Sequence, residues 1–355
     1  MSCLPRVEIH APALRHNLGV VRRHAPHSHV MAVIKADGYG HGLLEVAEAL
    51  EGADAFAVAR VDEALPLRRR HPHKRILVLA GAHDADTLAA AADHGLEVVV
   101  HHPRQIELLA AHGGPPLKVW LKLDTGMHRL GFPPVECRSR LAELRGLSAV
   151  AEVAGVLSHL ANADDLGDDY TKRQTERFEQ ATAGLVLPRS LANSAAILGW
   201  PDTHFDWVRP GIMLYGASPF VPVREELEPA MSFHARLIAV KTIPAGAPVG
   251  YGGDWTAPEA MPLGVVAAGY GDGYPREVPA GTPVLIRGRR VPIVGRVSMD
   301  TLTVDLRTLP EARVGDDVLL WGPGLRVEEI ARAAGTIPYT LLCGITARVR
   351  RAPGS

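Results

Sequence analysis

Residues 30–50 read VMAVIKADGYGHGLLEVAEAL, and this stretch contains one complete strand-to-helix unit. The run Val30–Ile34 predicts a buried strand, because apolar and β-branched side chains pack well on a pleated surface. A glycine-rich segment follows, and apolar residues then recur at helical spacing over Leu43–Leu50. The stretch therefore predicts one β-strand, a tight loop and one helix, in that order.

The same order of strand and helix recurs through residues 30–215, with further helical patterns over Thr87–His94 and Arg173–Thr182. Strands joined by helical crossovers are parallel, and eight such units match the number that closes a TIM barrel. We predict an α/β fold with an N-terminal (β/α)8 barrel, and an open doubly wound sheet is the alternative. The predicted strands are Val30–Ile34, Ala55–Ala59, Ile76–Ala80, Glu97–Val100, Lys118–Leu123, Val153–Leu157, Ser190–Ala192 and Asp206–Val208.

The pattern changes after Pro219, where prolines punctuate shorter extended runs. This change predicts a mainly β second domain, in which Val327–Ala334 is the one convincing helical pattern. We place the barrel domain at residues 1–225 and the β domain at residues 226–355, and we allow the first residues to pack with the β domain. The predicted strands of the β domain include Arg236–Val240, Val284–Ile286, Thr301–Leu306 and Val318–Trp321.

The composition argues against several classes of partner. The 355 residues carry 38 Lys and Arg against 39 Asp and Glu, so no overall charge would attract nucleic acid or an anionic membrane. No apolar run reaches membrane-spanning length, and the N-terminus lacks the apolar core of a secretory signal. Cys3, Cys137 and Cys343 are odd in number and scattered, which favours a reducing cytoplasm. We also expect no metal, because the histidines lack ligand spacing.

Polar side chains follow the predicted strands at the end where TIM barrels carry their catalytic groups. Lys35 follows the first strand directly, and a neutral lysine amine can condense with an aldehyde. A solvated lysine at a strand end is the alternative interpretation. Gly38, Gly40 and Gly42 would let backbone N–H groups approach an anion, and Tyr39 adds a hydroxyl donor. A tight turn between strand and helix would explain the same glycines.

The segments after the seventh and eighth strands occupy the usual phosphate-binding position of this fold. Ser194 offers a hydroxyl group there, and Gly211 allows the backbone to approach a ligand closely. A helix N-cap for Ser194 and a turn for Gly211 are the alternatives. His159 follows the sixth strand, and its position suits a catalytic role and a structural role equally well.

Six motifs along the chain resemble, in order, those of the bacterial alanine racemases. Val33–Gly42 is similar to the cofactor-lysine signature of that family, and Lys122–Gly131 is similar to its second motif. His128, within the second motif, stands where glycine is common, which leaves the shape of its loop open. The resemblance covers nearly the whole chain and both predicted domains. The remaining motifs are Ser158–Ala161, Val208–Ile212, Gly269–Tyr274 and Gly295–Asp300.

The resemblance implies racemisation of L- and D-alanine with pyridoxal phosphate, for peptidoglycan synthesis or for D-alanine breakdown. It implies that Lys35 holds the cofactor covalently and serves as base or acid on the D face of the amino acid, while Tyr270 serves on the L face. Racemisation requires such a pair, because one group removes the Cα proton and the other returns it. The resemblance also implies a head-to-tail homodimer, in which Tyr270 and Met299 reach each site from the partner subunit.

Other motif positions match cofactor and substrate contacts of the family. Arg209 would contact the pyridine nitrogen with His159 behind it, and this nitrogen would stay unprotonated because a guanidinium scarcely surrenders a proton. Arg129 and the Met299 backbone would position the substrate. Lys122 matches a lysine that is often carbamylated in the family. The residues implied to secure the phosphate are Tyr39, Ser194, Gly211, Ile212 and Tyr339, and Tyr339 would also restrict the space around the substrate.

Two other functions are compatible with parts of this pattern. A pyridoxal-phosphate amino-acid decarboxylase could use the same two-domain plan, but the Tyr270 motif and the short chain argue against it. A non-enzymatic carrier of the cofactor would need only the barrel and Lys35, whereas this chain has a second domain with Tyr270 and Met299. The range of small amino acids accepted, serine included, stays open.

Overall fold

A computed structural model describes residues 5–354, so Cys3 lies outside the described residues. The chain divides into two compact units. The barrel unit contains residues 15–214 and 218–226, and the β unit contains the described residues up to Leu14, residues 215–217 and the residues from Leu227 onward. The first strand thus belongs to the β unit, while the domain limits of 1–225 and 226–355 stay a prediction.

The barrel unit contains a closed barrel of eight strands, each parallel to its neighbours. The barrel closes where His29 pairs with Trp207 and Val30 pairs with Val208. The prediction of a (β/α)8 barrel is confirmed, and the doubly wound alternative is wrong. In chain order, β1 (Arg6–Ile9) of the β unit precedes the barrel strands β2 (His29–Val33), β3 (Ala55–Val58), β4 (Arg75–Val78), β5 (Glu97–Val100), β6 (Leu117–Lys122), β7 (Val150–Leu157), β8 (Arg189–Ser190) and β9 (Trp207–Val208).

Helices alternate with the barrel strands and bury one apolar face. In the fourth helix Val61, Ala64 and Leu67 are buried at a spacing of three residues, which is the spacing of one helix face. None of the helices in residues 5–354 is long and apolar enough to cross a membrane. The helices are α1 (Ala11–His24), α2 (Lys35–Tyr39), α3 (Leu43–Ala49), α4 (Val61–Arg70), α5 (Ala85–Asp93), α6 (Pro103–Ala111), α7 (Cys137–Arg145), α8 (Tyr170–Thr182) and α9 (Ser194–Gly199).

The short turn α2, which follows the first barrel strand, has a left-handed backbone. Residues 36–39 have φ angles between 51° and 61°, a region in which residues other than glycine are strained. Side-chain carboxylates hold both ends of the turn. Glu63 accepts a hydrogen bond from the Ala36 N–H at 2.7 Å, and Asp37 accepts one from the Leu43 N–H at 2.9 Å. The backbone around Lys35 is therefore fixed by contacts from α4 as well as by its glycines.

The β unit is built on one eight-stranded sheet, which confirms the prediction of a mainly β second domain. In that sheet β1 pairs antiparallel with β10 and parallel with β18. The helix α11, with six residues, was not predicted from the sequence. The further elements are β10 (Met231–Ile243), β11 (Pro248–Val249), β12 (Trp255–Thr256), β13 (Met261–Val266), β14 (Pro283–Ile286), β15 (Arg289–Pro292), β16 (Leu302–Asp305), β17 (Asp317–Trp321), α10 (Val327–Ala333), α11 (Pro338–Cys343) and β18 (Arg350–Pro353).

Candidate active site

The predicted polar residues of the barrel unit lie at the C-terminal ends of its strands. Lys122 is the last residue of β6, and Arg209 comes directly after β9. Lys35 and His159 each follow the last residue of their strand, β2 and β7, by two positions, and Ser194 begins α9 beyond β8. In TIM-barrel enzymes the active site is built at this end of the barrel. Among residues 5–354, no group of three or more His, Cys, Asp and Glu side chains is placed to hold a metal ion.

Arg209 is a buried cation held by neutral oxygens. Its guanidinium donates hydrogen bonds to the Ser190 hydroxyl at 2.7 Å and to the backbone carbonyls of Ser158 and Leu191. No carboxylate within the described part of the chain forms an ion pair with it. Burial lowers the pKa of Arg209 to about 10, so the group keeps its proton at neutral pH. A buried, charged guanidinium without a carboxylate is suited to an acceptor on a bound ligand.

His159 lies beside this arginine. Its Nδ1 is 3.4 Å from a terminal guanidinium nitrogen of Arg209, and because arginine only donates, Nδ1 accepts. Burial lowers the pKa of His159 well below its ordinary value, and the positive charges of Arg209 and Lys122 lower it further. His159 is therefore a neutral acceptor beside Arg209, and its role in the site stays a prediction.

Lys122 is the second buried cation at this end of the barrel, with 8% of its surface exposed. Burial lowers the pKa of Lys122 to about 8, and the charges of Arg209, Arg129 and Lys35 act in the same direction. Asp124 opposes the shift. At pH 7 roughly a tenth of Lys122 is thus an uncharged amine, which is the form that acts as a nucleophile.

Arg129 lies exposed on the loop after β6, and this loop is shaped by Asp124. The Asp124 carboxylate accepts hydrogen bonds from the N–H groups of Gly126 at 2.9 Å and His128 at 3.0 Å. His128 has a φ of 55°, in the left-handed region where glycine is unstrained. The loop shape that the sequence left open is therefore a tight turn around a carboxylate.

Tyr39, Ser194 and Gly211 meet at one place beyond the strands. The Ser194 hydroxyl accepts hydrogen bonds from the N–H groups of Gly211 at 2.8 Å and Met213 at 3.3 Å. A Cβ added at Gly211 would lie 2.6 Å from the Tyr39 hydroxyl oxygen, which is too close for any side chain. Two hydroxyl groups and a bare stretch of backbone thus form a small polar cradle, next to which Ile212 is fully buried.

The alternative role of Ser194 as a helix N-cap is wrong. Asn193 caps α9, because its side-chain oxygen accepts from the Ala196 N–H at 3.0 Å. Ser194 is the first residue of the helix, and its hydroxyl is directed to the backbone after β9 instead. Gly211 is not among the residues with left-handed φ, so its backbone conformation does not require glycine. The Tyr39 hydroxyl requires it, because it leaves no room for a side chain at position 211.

The remaining predicted residues, Tyr270, Met299 and Tyr339, belong to the β unit and are partly exposed. Tyr270 begins a 3-10 turn, Tyr270–Asp272. Its N–H donates to the Ser298 carbonyl at 3.1 Å, and the Gly271 N–H donates to the Met299 carbonyl at 2.8 Å. The structure therefore brings the Tyr270 and Met299 loops together, while Tyr339 lies on α11.

Three residues that hold these loops were given no role in the sequence analysis. Glu63 bonds the N–H groups of Ala36 and Ala59 and so links the Lys35 turn to β3. Asp272 and Arg348 form an ion pair under Tyr270. Asp272 lies inside the Gly269–Tyr274 motif, so its position could have indicated a role near Tyr270. Arg348 is 76 residues away from Asp272, and no motif near it in the sequence indicates a role.

Comparisons with known proteins agree along the whole chain. Sequence models of the alanine racemase N-terminal and C-terminal domains match residues 9–219 and 230–353. The alanine racemase of Halorhodospira halophila is 54% identical over 99% of this chain and 98% of its own.

Solved structures are similar over the same length. The biosynthetic alanine racemase of Pseudomonas aeruginosa has a TM-score of 0.96 at 47% identity, with both chains covered completely. The Bartonella henselae alanine racemase, solved with covalently bound pyridoxal phosphate, has a TM-score of 0.90 at 30% identity and covers 99% of this chain and 100% of its own. On both domain models and a shared identity above one half, the chain belongs to the alanine racemase family.

Proposed function

We propose that this protein interconverts L- and D-alanine by a two-base mechanism and that it uses pyridoxal phosphate bound at the C-terminal end of the barrel. The observation that carries the proposal is the concentration of positive charge there. Arg209 and Lys122 are buried, and Lys35 and Arg129 lie close enough to lower the pKa of Lys122. Asp124 counteracts them at Lys122.

These residues fit pyridoxal phosphate by their chemistry. An anion would relieve the mutual repulsion of the four cations. The cradle of Tyr39, Ser194 and Gly211 would hold the phosphate, together with Ile212 and with Tyr339 of the β unit. Lys35 would hold the cofactor covalently, and the Bartonella henselae alanine racemase was solved with covalently bound pyridoxal phosphate. Bound, the cofactor would supply an electron-withdrawing ring that stabilises negative charge developing at Cα.

Arg209 would donate a hydrogen bond to the ring nitrogen. Its pKa of about 10 keeps the guanidinium charged at neutral pH, and the neutral His159 accepts from it on the other side. Because Arg209 retains its proton, a ring nitrogen in contact with it would stay an acceptor. Arg209 would thereby limit how much negative charge the ring draws from Cα and would disfavour side reactions such as transamination.

Lys35 and Tyr270 would carry the proton on opposite faces of the amino acid. Lys35 removes or returns the Cα proton on the D face, and Tyr270 of the partner subunit does so on the L face. We infer a homodimer in which each site combines the barrel residues of one subunit with the partner's Tyr270 and the partner's Met299. Arg129 and the Met299 backbone would position the alanine, and Tyr339 would limit the size of its side chain.

The replacement Tyr270→Phe tests the two-base assignment, because it removes the hydroxyl and keeps most of the ring. We expect overall racemisation to fall about 10²- to 10⁴-fold, the usual loss for a positioned acid–base group. Exchange of the Cα proton with solvent deuterium should collapse for L-alanine and persist for D-alanine, since Lys35 still serves that face. Equal losses of exchange from both enantiomers would contradict the assignment.

A further inference from the structure

We propose that Arg348, acting through Asp272, is the positioning residue that aims Tyr270 at the L face of the substrate. This inference rests on the proposed role of Tyr270 and extends it to residues with no role in the site so far. Tyr270 has 40% of its surface exposed, so packing restrains its ring less than it would restrain a buried ring. The backbone turn on which Tyr270 stands therefore matters more for where its hydroxyl lies.

Asp272 holds that turn from inside the β unit. It is 2% exposed, and its Oδ2 accepts a hydrogen bond from the Gly269 N–H at 2.9 Å, which closes the turn on both sides of Tyr270. A buried carboxylate requires a cation or several donors, because removing it from water is costly. Arg348 supplies the cation: its Nε donates to Asp272 Oδ1 at 2.7 Å and a terminal nitrogen donates to Oδ2 at 3.1 Å.

Arg348 also bonds the neighbouring loop. The same terminal nitrogen donates to Asp300 Oδ1 at 2.8 Å, and Asp300 follows Met299 directly in the sequence. Backbone hydrogen bonds from Tyr270 and Gly271 to the carbonyls of Ser298 and Met299 join the two loops from the other side. A single guanidinium thus ties together the segments that carry both proposed contributions of the β unit to the partner's site.

The space around this junction leaves little room for movement. A Cβ added at Gly271 would lie 3.0 Å from a guanidinium nitrogen of Arg348 and 3.0 Å from the Met299 carbonyl oxygen. One added at Gly269 would lie 2.1 Å from the Ser298 carbonyl oxygen. The turn is therefore in close contact with Arg348 on one side and the Met299 loop on the other, so a change at Arg348 is transmitted to the Tyr270 backbone.

Loss of Arg348 should affect proton transfer on the L face of the amino acid alone. A proton carrier must come within hydrogen-bond reach of its target, and a displacement of about 1 Å can cost about 10²-fold in rate. Loss of Arg348 would displace Tyr270 and leave the barrel residues in place. The defect should thus resemble that of Tyr270→Phe, in weaker form.

The replacement Arg348→Gln tests this in the full-length protein with pyridoxal phosphate bound. We expect Cα deuterium exchange from L-alanine to fall by about 10-fold or more, with exchange from D-alanine within about twofold of the unmodified protein. Arg348→Lys keeps the positive charge but cannot donate two parallel hydrogen bonds to one carboxylate. Its exchange rate for L-alanine should therefore lie between the rates of the unmodified protein and of Arg348→Gln. Arg307→Gln is the matched control. Like Arg348, Arg307 forms an ion pair with a buried aspartate, Asp305, and donates a hydrogen bond to a second carboxylate that is exposed, that of Glu259.

A second readout does not depend on activity. In protein labelled with fluorotyrosine, the Tyr270 resonance is assigned by its absence in Tyr270→Phe. Arg348→Gln should shift or broaden that resonance without cofactor or substrate, and Arg307→Gln should leave it unchanged. If the Gln variant does not fold, the Lys variant takes its place in both measurements.

The outcomes separate this inference from the proposed function. An unchanged Tyr270 resonance, or equal loss of exchange from both enantiomers in the Arg348 variant alone, would overturn the positioning role. If Tyr270→Phe itself slowed both exchanges equally, the two-base assignment would fail first. A selective loss in Tyr270→Phe and in Arg348→Gln, but not in Arg307→Gln, would establish Arg348 as the residue that aims Tyr270.

Discussion

A buried lysine with a lowered pKa exists in two forms near neutral pH, a charged ammonium group and a neutral amine that is a nucleophile. Lys122 has a pKa lowered to about 8 by burial and by its cationic neighbours. The neutral amine would attack carbon dioxide to form a carbamate anion and release one proton to solvent, and an anion among Arg209, Arg129 and Lys35 would be stabilised by their charges. We therefore expect the surroundings that disfavour the protonated form of Lys122 to favour its carbamylation.

We predict that Lys122 binds carbon dioxide as a carbamate in amounts that rise with pH through about 8, because only the neutral amine reacts and the pKa of Lys122 is about 8. A ¹³C resonance from labelled bicarbonate measures this. Lys122→Met is the control, since it should remove the resonance while the protein stays folded. A resonance that persists in Lys122→Met would assign the carbamate to a different amine.

Lys35 is distinguished from Lys122 by its place on a rigid turn. We predict that Lys35→Ala abolishes the bond to pyridoxal phosphate that borohydride can reduce, because alanine offers no amine, even where phosphate contacts still retain the cofactor. Mass spectrometry of the reduced protein measures the bond. Lys122→Met should retain it, and a cofactor still attached in Lys35→Ala would show that Lys35 is the wrong lysine.

At the scale of elements, the left-handed turn at residues 36–39 is where local preference and structure disagree most. Four consecutive residues have φ near 55°, and three of them are not glycine. Such residues each cost about 1–2 kcal/mol in this conformation, so contacts from outside the turn must stabilise it. Glu63 provides one of them by accepting from the Ala36 N–H, and the Leu43 N–H provides another by donating to the Asp37 carboxylate of the turn.

We predict that Gly38→Ala destabilises the barrel unit. The φ of 61° at Gly38 would strain alanine, and the new Cβ would lie 2.8 Å from a methyl carbon of Val46. The strain alone should lower the free energy of unfolding by about 1–2 kcal/mol. A double-mutant cycle with Val46→Ala, followed by denaturant unfolding, separates the two causes. If Gly38→Ala were as stable as the unmodified protein, the left-handed turn would be wrong.

The barrel strands could be located from the sequence because each strand is marked by a run of apolar residues within its own few positions. Strands such as β3 and β5 are buried at every position, and strands covered on both faces read as continuous apolar runs. The left-handed turn could not be predicted, because the Ala36 N–H is held there by Glu63, 27 residues away. The helix α11 has six residues and was too short for a helical period to be recognised.

At the scale of the whole molecule, the inferred sharing of sites between subunits has a direct test. We predict that a mixed dimer of one Lys35→Ala subunit and one Tyr270→Phe subunit regains activity, although each variant alone is nearly inactive. One of its two sites would combine an intact Lys35 with an intact Tyr270 of the partner subunit. Two different affinity tags isolate the mixed dimer for a racemisation assay. An inactive mixed dimer would place both residues of a site in one subunit.

The sequence predicted a set of polar residues after the barrel strands, but it did not predict the ion pair that supports the Tyr270 turn. The strand-end rule identifies Lys35, Lys122 and Arg209, because a residue's place after a strand is local information. The pairing of Asp272 with Arg348 joins positions 76 residues apart. Only the folded sheet brings them together, so no local pattern marks that pair.

The first described strand, β1, acquires its neighbours late in protein synthesis. Arg6 lies opposite His234 of β10 and Arg350 of β18, and every strand of the barrel is translated between them. A nascent chain thus exposes β1 with unpaired edges while the barrel, whose strands are already available, can fold. Residues 350–353 close this side of the sheet last, so a ribosome that pauses before them would hold a finished barrel beside an incomplete sheet.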